Sequence, residues 1–177
     1  NEKGWGDTMG RLLTNPGNLF NRARSGAGSG SYKDDKNQQR NWTYTKDMMT
    51  NADIRHGGYL FIQFGHNEED YDSFYSNLHK YVAEARRLRF TPVLITPVSR
   101  LWKYDGSHKE YPQIVQNLAN NENVLLLDLY QKSWDEFNKY EDHNAVAEKF
   151  GFDDHTHFNP EGASIVAGWV KELICSK

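Results

Sequence analysis

Three short apolar runs, separated by helical patterns, most constrain what this chain can fold into. The runs are YLFIQF at residues 59–64, PVLIT at 92–96 and VLLLDL at 124–129. A strand that is apolar at nearly every position is covered on both faces, and strands joined by helices run parallel because parallel neighbours need a crossover connection. The sequence therefore predicts an α/β fold built on a parallel sheet.

Apolar residues that recur at spacings of three and four predict the helices. They indicate a helix over residues 74–88, a shorter helix after Pro112, a polar helix over about 130–150 and a last helix over 160–174. The last helix is predicted to begin at Pro160, because proline is favoured in the first turn of a helix.

The N-terminal part shows weaker patterns. They predict a helix at residues 7–13 and a strand at 19–23, followed by a loop rich in glycine and serine. Residues 33–47, KDDKNQQRNWTYTKD, are mostly charged or polar and predict a solvated surface segment.

Composition limits the class of protein. A chain of 177 residues that is 37% hydrophobic can bury one sizeable core, so residues 1–177 are expected to form one domain. The net charge of −3, with both signs mixed along the chain, argues against a nucleic acid or an anionic membrane as partner. No apolar run approaches the roughly 20 residues that span a bilayer. The single Cys175 excludes an intrachain disulfide and a cysteine-based zinc site.

The first apolar run ends in Gly65-His66-Asn67, where the sequence changes abruptly from apolar to polar. In open α/β sheets, ligands bind beyond the carboxyl ends of the strands. A glycine lets the backbone turn sharply at such an end, and an asparagine side chain can direct a neutral N–H donor into the crevice. The alternative is that Asn67 caps the helix that follows, which is a common role for asparagine.

Two further segments supply parts of an acyl-transfer site. The flexible loop within NRARSGAGSGSY at residues 21–32 can bring a backbone N–H, such as that of Gly26, close to a ligand. Before the last helix, Asp154 lies three residues ahead of His157, close enough on a helical turn for the carboxylate to orient the imidazole. An oriented histidine can act as a general base, and an asparagine with a backbone N–H can hold an oxyanion.

Two other interpretations of the histidine segment stay open. His155 and His157 are also compatible with a pair of surface loop residues. Alternatively, Asp153, His155 and His157 offer carboxylate and imidazole ligands for a metal hydrolase, which a chelator would inactivate.

Five motifs, in this order, resemble those of the SGNH (GDSL-type) hydrolases, and most closely the rhamnogalacturonan acetylesterase-like branch. They are GWG at 4–6, NRARSGAGSGSY at 21–32, YLFIQFGHNEED at 59–70, PVLITPVSR at 92–100 and DHTHFNPEGA at 154–163. Five ordered motifs are far more specific than any one of them, and together they cover most of the chain.

The resemblance implies a flavodoxin-like, three-layer α/β/α fold and a carbohydrate ester hydrolase. Members of this family remove acetyl groups from plant cell-wall polysaccharides, pectin rhamnogalacturonan or xylan, with a Ser-His-Asp triad and no metal or cofactor. Carried over by position, His157 resembles the general base, Asp154 its orienting acid, and Gly26 and Asn67 two oxyanion-hole donors. The resemblance also implies a secreted protein, extracellular or periplasmic, whose partner is an acetylated polysaccharide or oligosaccharide.

Two features depart from the family pattern. The motif GHND reads GHNE, so Glu68 follows Asn67. The first family block, a strand ending in Gly-Asp-Ser with the serine nucleophile, is missing, and the chain is expected to be incomplete at its N-terminus. Thr8, in the triplet Gly-Asp-Thr, follows no apolar strand and is rejected as the nucleophile. Ser29 lies in no Gly-x-Ser-x-Gly elbow, so it is expected to be a serine of a flexible loop instead of the nucleophile.

The missing strand has a structural consequence. In the flavodoxin-like strand order the first strand is central, and each unpaired buried backbone group costs about 1–3 kcal/mol. We therefore expect strands 19–23 and 59–64 to lie about 9–10 Å apart, twice the spacing of paired strands. An N-terminal segment or a second chain would supply the strand between them.

The alternative function is a catalytically inactive relative that binds carbohydrate in the same crevice. Its aromatic rim would consist of Trp102, Tyr104 and Tyr111. A closed sheet without the nucleophile strand would favour this alternative.

Overall fold

The structure is a computed structural model, and it divides into two compact units. The sheet unit comprises Arg24–Pro97 and His108–Leu127, and the terminal unit comprises Asn1–Ala23, Val98–Ser107 and Asp128–Lys177. The residues described within them are 3–14, 18–34, 41–51, 57–100, 110–151 and 156–177. The expectation of a single domain over residues 1–177 stays a prediction.

Helices and strands alternate along most of the chain. In order they are α1 (Trp5–Met9), a 3-10 helix (Gly10–Leu12), α2 (Ser29–Asp34), α3 (Trp42–Thr50), β1 (Tyr59–Gln63), α4 (Tyr71–Arg87), β2 (Thr91–Ile95), α5 (Glu110–Glu122), β3 (Leu125–Leu127), α6 (Leu129–Phe137), α7 (His143–Phe150) and α8 (Pro160–Cys175). No helix among the described residues is long and apolar enough to cross a membrane.

The three strands form one parallel sheet in the order β1-β2-β3. Phe61 lies opposite Val93, and Val93 lies opposite Leu125, so the strands end at a common edge. The parallel sheet and its three apolar strands were predicted from the sequence and are confirmed.

One face of the sheet packs on α4 within the sheet unit. Ile62 of β1 and Leu94 of β2 belong to the same buried cluster as Phe74, Leu78 and Val82 of α4. The spacing of the α4 residues places them on one side of the helix, which explains why this helix was predictable from its period.

The outer edge of β1 has no paired strand among the described residues, because its ladder runs to β2 alone. Tyr59 is 62% exposed and Phe61 38% exposed. Their ring centroids lie 6.3 Å apart on the same face of the strand. The strand β1 therefore presents open backbone groups at its outer edge and apolar surface on the face that carries Tyr59 and Phe61.

The predicted strand at residues 19–23 is wrong, since that segment is irregular. Asn21 explains the difference: its Oδ1 accepts the Ala23 N–H at 3.0 Å, and its Nδ2 donates to Asp7 at 2.7 Å. A local side-chain bond of this kind takes an N–H group that a sheet would need. The separation of 9–10 Å that we expected for this segment stays a prediction.

The single polar helix predicted over residues 130–150 is two helices, α6 and α7. Asn138 ends α6 by donating its side-chain N–H to the Trp134 carbonyl at 2.9 Å. Asp142 starts α7 by accepting the Ala145 N–H at 2.9 Å. Two capping residues four positions apart break the helix, as capping side chains do at helix ends.

The prediction of a solvated segment at residues 33–47 is also wrong in its second half. Trp42 is only 5% exposed and lies edge-on to Tyr81 at 4.7 Å between ring centroids. The polar neighbours of Trp42 concealed a helix, α3, that contributes to the core.

Burial on α4 gives a direct test of the sheet unit. We expect Leu78→Ala to lower the free energy of unfolding by about 2–5 kcal/mol, because Leu78 is 1% exposed and the substitution leaves a cavity. The matched control is Lys80→Ala on the exposed side of the same helix, which should change it by less than about 0.5 kcal/mol. Urea unfolding of both variants measures the difference, and equal losses would contradict the packing described.

Candidate functional site

Gly65 lies two residues beyond the end of β1, in a backbone conformation that favours glycine. Its φ is 133°, and a Cβ at this position would lie 2.8 Å from Cγ of Pro97. A side chain is therefore excluded both by conformation and by space. The chain turns sharply here, as the sequence predicted, and brings His66 and Asn67 into the loop beyond the strand.

The alternative role of Asn67 as a helix cap is wrong. The cap of α4 is Asp70, whose carboxylate accepts the Ser73 N–H at 2.7 Å and the Ser73 hydroxyl at 2.6 Å. Both bonds hold the pKa of Asp70 below its ordinary value, and the bond from the Ser73 hydroxyl has the larger effect. Asn67 is exposed, and within the described residues its side chain makes no hydrogen bond.

Gly26 lies at a turn of the glycine-rich loop. Its φ of 71° is in the left-handed region, and the turn is closed by the Ala27 N–H, 3.4 Å from the Arg24 carbonyl oxygen. Gly26 is exposed, and none of the described residues accepts a hydrogen bond from its N–H. The loop thus presents an unsatisfied backbone donor to solvent.

The loops that carry Gly26 and Asn67 adjoin each other. A Cβ at Gly28 would lie 2.2 Å from the Asn67 carbonyl oxygen and 3.1 Å from its carbonyl carbon. Only a glycine allows backbone to approach backbone this closely. The Asn67 backbone therefore contacts Gly28, two residues after Gly26, and the convergence of Gly26 with the Asn67 side chain stays a prediction.

A second contact joins the same two loops, and we call it the Ser29–Glu68 clamp. The Glu68 carboxylate accepts the Ser29 N–H at 2.9 and 3.1 Å and the Ser29 hydroxyl at 2.6 Å. From α4, Asn77 donates to the Ser29 hydroxyl oxygen at 3.2 Å, and the Tyr81 hydroxyl donates to the Ser29 carbonyl at 2.5 Å. Ser29 is completely buried, so its hydroxyl holds the loops together and is unsuited to attack a substrate.

Thr8 also has a structural role. Its hydroxyl lies 3.1 Å from the Ala163 carbonyl and 3.0 Å from the Trp5 carbonyl, and it joins α1 to α8. The Thr8 hydroxyl is therefore engaged in contacts that hold the two helices together.

His157 lies in the terminal unit, shortly before α8. Its neighbour Phe158 forms an isolated antiparallel bridge with Gly151. Asn159 accepts the Gly162 N–H at 2.7 Å, which starts α8, and donates to the Gly151 carbonyl at 3.2 Å. His157 itself is exposed and therefore accessible to a substrate.

Asp154 lies outside the described residues, as do Asp153 and His155 of the metal alternative. The bond from Asp154 to His157 and the convergence of His157 with Asn67 stay predictions. No cluster of three metal-ligating side chains occurs in the described part of the chain.

The proposed aromatic rim of the binding alternative is wrong for Tyr111. This residue is 9% exposed and packs on Phe74 and Tyr71, with ring centroids 5.2 and 5.0 Å away. Burial in this cluster raises the pKa of its hydroxyl. Trp102 and Tyr104 lie outside the described residues.

Comparison with known proteins gives relatives over nearly the whole chain. Residues 2–170 match the family described as GDSL-like Lipase/Acylhydrolase. The probable rhamnogalacturonan acetylesterase YesY of Bacillus subtilis (strain 168) is 30% identical over 98% of this chain and 85% of its own length. The rhamnogalacturonan acetylesterase RhgT of the same organism is 29% identical over 97% of this chain and 80% of its own.

Two solved structures share the fold. Protein YXIM of Bacillus subtilis matches 99% of this chain with a TM-score of 0.79 at 18% identity, and the match spans 50% of that protein. Axe2, an acetylxylan esterase from Geobacillus stearothermophilus, matches 97% of this chain and 81% of its own with a TM-score of 0.66 at 18% identity. These likenesses confirm the predicted α/β class with its parallel sheet.

The close approach of the two donor loops can be tested with a pair of glycine substitutions. We expect Gly28→Ala to destabilise the protein by about 1–3 kcal/mol, because the new methyl group overlaps the Asn67 carbonyl and backbone must shift. Gly30→Ala is the matched control: its Cβ would meet nothing closer than 3.5 Å, and alanine favours the helix. Thermal unfolding should show a lower midpoint for the first variant alone. Equal midpoints would contradict the described contact.

Proposed function

Because this chain belongs to the GDSL-like lipase/acylhydrolase family, we propose that it is a serine acetylesterase acting on a plant cell-wall polysaccharide. Two relatives, 30% and 29% identical, are named as rhamnogalacturonan acetylesterases, so the acetylated rhamnogalacturonan of pectin is the first substrate candidate. Acetylated xylan is the second, since a protein of the same fold is named as an acetylxylan esterase.

The observation that carries the proposal is the pair of donors on adjoining loops. The Gly26 N–H and the Asn67 side-chain amide are both exposed, and neither is used by another described residue. Preorganised neutral donors of this kind stabilise the negative charge that develops on a carbonyl oxygen during acyl transfer. The Gly28 contact holds the backbones of the two loops together before the substrate arrives, which limits the reorganisation needed in the transition state.

His157 is the proposed general base, and Asp154 the proposed acid that fixes its tautomer. A serine hydroxyl attacks the acetyl carbonyl carbon while His157 takes the hydroxyl proton, and the oxyanion binds to Gly26 and Asn67. His157 then protonates the departing sugar oxygen. Water repeats the sequence on the acetyl-enzyme and releases acetate. The support for His157 is its exposure beside the anchored start of α8.

The proposed nucleophile is a serine that residues 1–177 do not supply. Ser29 and Thr8 are both engaged in structural contacts, which supports this view. The edge of β1 that no described strand pairs offers the position for the strand that would carry the serine. An N-terminal segment or a second chain would supply that strand.

The polymeric substrate suggests where the protein acts. A polysaccharide of the plant cell wall is met outside the cytoplasm, so an extracellular or periplasmic location is proposed.

The general base is tested by His157→Ala in the full-length protein. We expect kcat on an acetyl ester to fall by roughly three orders of magnitude or more, because the members of a triad act as a unit. His79→Ala is the control, since His79 lies on the exposed side of α4, with its Nε2 3.1 Å from a carboxylate oxygen of Glu122. Activity close to that of the unsubstituted protein would reject His157 as the base. Comparing acetylated rhamnogalacturonan with acetylated xylan in the same assay assigns the substrate.

The oxyanion role is tested by Asn67→Ala. We expect kcat to fall by about 10²- to 10³-fold with KM little changed, since the amide acts mainly in the transition state. The control Asn117→Ala removes an exposed amide from α5 and should leave kcat unchanged. A rise in KM with kcat intact would instead indicate a role in substrate binding, as in the carbohydrate-binding alternative.

A further inference from the structure

We propose that Glu68 is a positioning residue of the acetylesterase site, and that its bond to Ser29 sets the spacing between the Gly26 N–H and the Asn67 amide. The inference rests on the proposed function and adds a residue to it. Glu68 is the position at which the chain departs from the GHND motif.

The first argument is the completeness of the contact. Both carboxylate oxygens of Glu68 bind Ser29, one to the backbone N–H and the other to the N–H and the hydroxyl. The Asn77 amide can only donate to the Ser29 hydroxyl oxygen, so the hydroxyl proton points to Glu68. The Tyr81 hydroxyl satisfies the Ser29 carbonyl. Every polar group of the buried Ser29 is therefore paired in one arrangement.

The second argument is the location of the contact along the chain. Glu68 is the residue directly after Asn67, and Ser29 lies three residues after Gly26. Gly28, which lies between Gly26 and Ser29 in the sequence, packs against the Asn67 carbonyl and leaves no room for a side chain. The clamp thus fixes two loops at their buried side, while the two donors lie at the exposed side.

The third argument is the precision that the chemistry needs. Oxyanion donors act at about 2.7–3.1 Å from the oxygen that becomes charged. A misplacement of about 1 Å can reduce a rate by roughly 100-fold. Neither donor is held by a hydrogen bond of its own among the described residues, so the clamp and the Gly28 contact fix their spacing.

The test is Glu68→Gln in the full-length protein, which keeps the size of the side chain and removes its charge. We expect kcat on an acetyl ester to fall about 10- to 100-fold while KM changes less than about twofold. Glu69→Gln is the matched control, because Glu69 is the exposed neighbour in the same loop and should behave as the unsubstituted protein. Thermal unfolding of each variant separates a loss of kcat from a loss of folded protein.

A double-mutant cycle separates positioning from a merely structural role. If Glu68 acts through the oxyanion donors, Glu68→Gln should cost less in an Asn67→Ala background than in the unsubstituted protein. An equal cost in both backgrounds, or an unchanged kcat, overturns the inference and leaves the proposed function intact. A protein that hydrolyses no acetyl ester before any substitution overturns the proposed function, and the inference with it.

Discussion

The candidate site depends on a close approach of backbone to backbone between two loops of the sheet unit. Gly28 packs against the Asn67 carbonyl at a distance that no other residue allows, and Gly65 turns the chain into this contact with a φ of 133°. Both glycines act by what they lack, since a Cβ at either position would displace neighbouring atoms. The polar bonds of the Ser29–Glu68 clamp are arranged around this approach, so the geometry of the donors follows from packing as well as from hydrogen bonding.

The sheet was predictable because its signal is local and continuous. An apolar run such as that of β2 is stable only when it is buried. The apolar residues of α4, which follow β1 along the chain, recur with the period of a helix. The failures have local causes too. Asn21 uses its side chain to take the N–H that a strand would need, and Asp142 starts a new helix inside a polar stretch. Trp42 is buried at the start of α3, and the residues around it up to Asp47 are mostly polar, so its neighbours gave no sign of the core.

The site was predictable only in part, for a related reason. Gly26, Asn67 and His157 were assigned from the ordered motifs, and the family match confirms the resemblance to that family. Their roles in the site stay predictions. The clamp was not foreseen. Ser29 and Glu68 are 39 residues apart, and a hydrogen bond between loops leaves no periodic pattern in the sequence. The one available signal was the change from GHND to GHNE, whose longer side chain reaches across to the neighbouring loop.

The open edge of β1 links the fold to the proposed chemistry. An exposed strand edge with apolar side chains favours pairing with another strand, and natural proteins normally cover it. Because parallel strands end at the same edge of a sheet, a strand added beside β1 in parallel would end near Gly65, next to the loop that carries Asn67. A serine at that end would face the two oxyanion donors, while the strand paired with the open backbone groups of β1. One added element would thus meet two separate requirements, the pairing of an open strand edge and the supply of a nucleophile, which is why the proposal places both on the same strand.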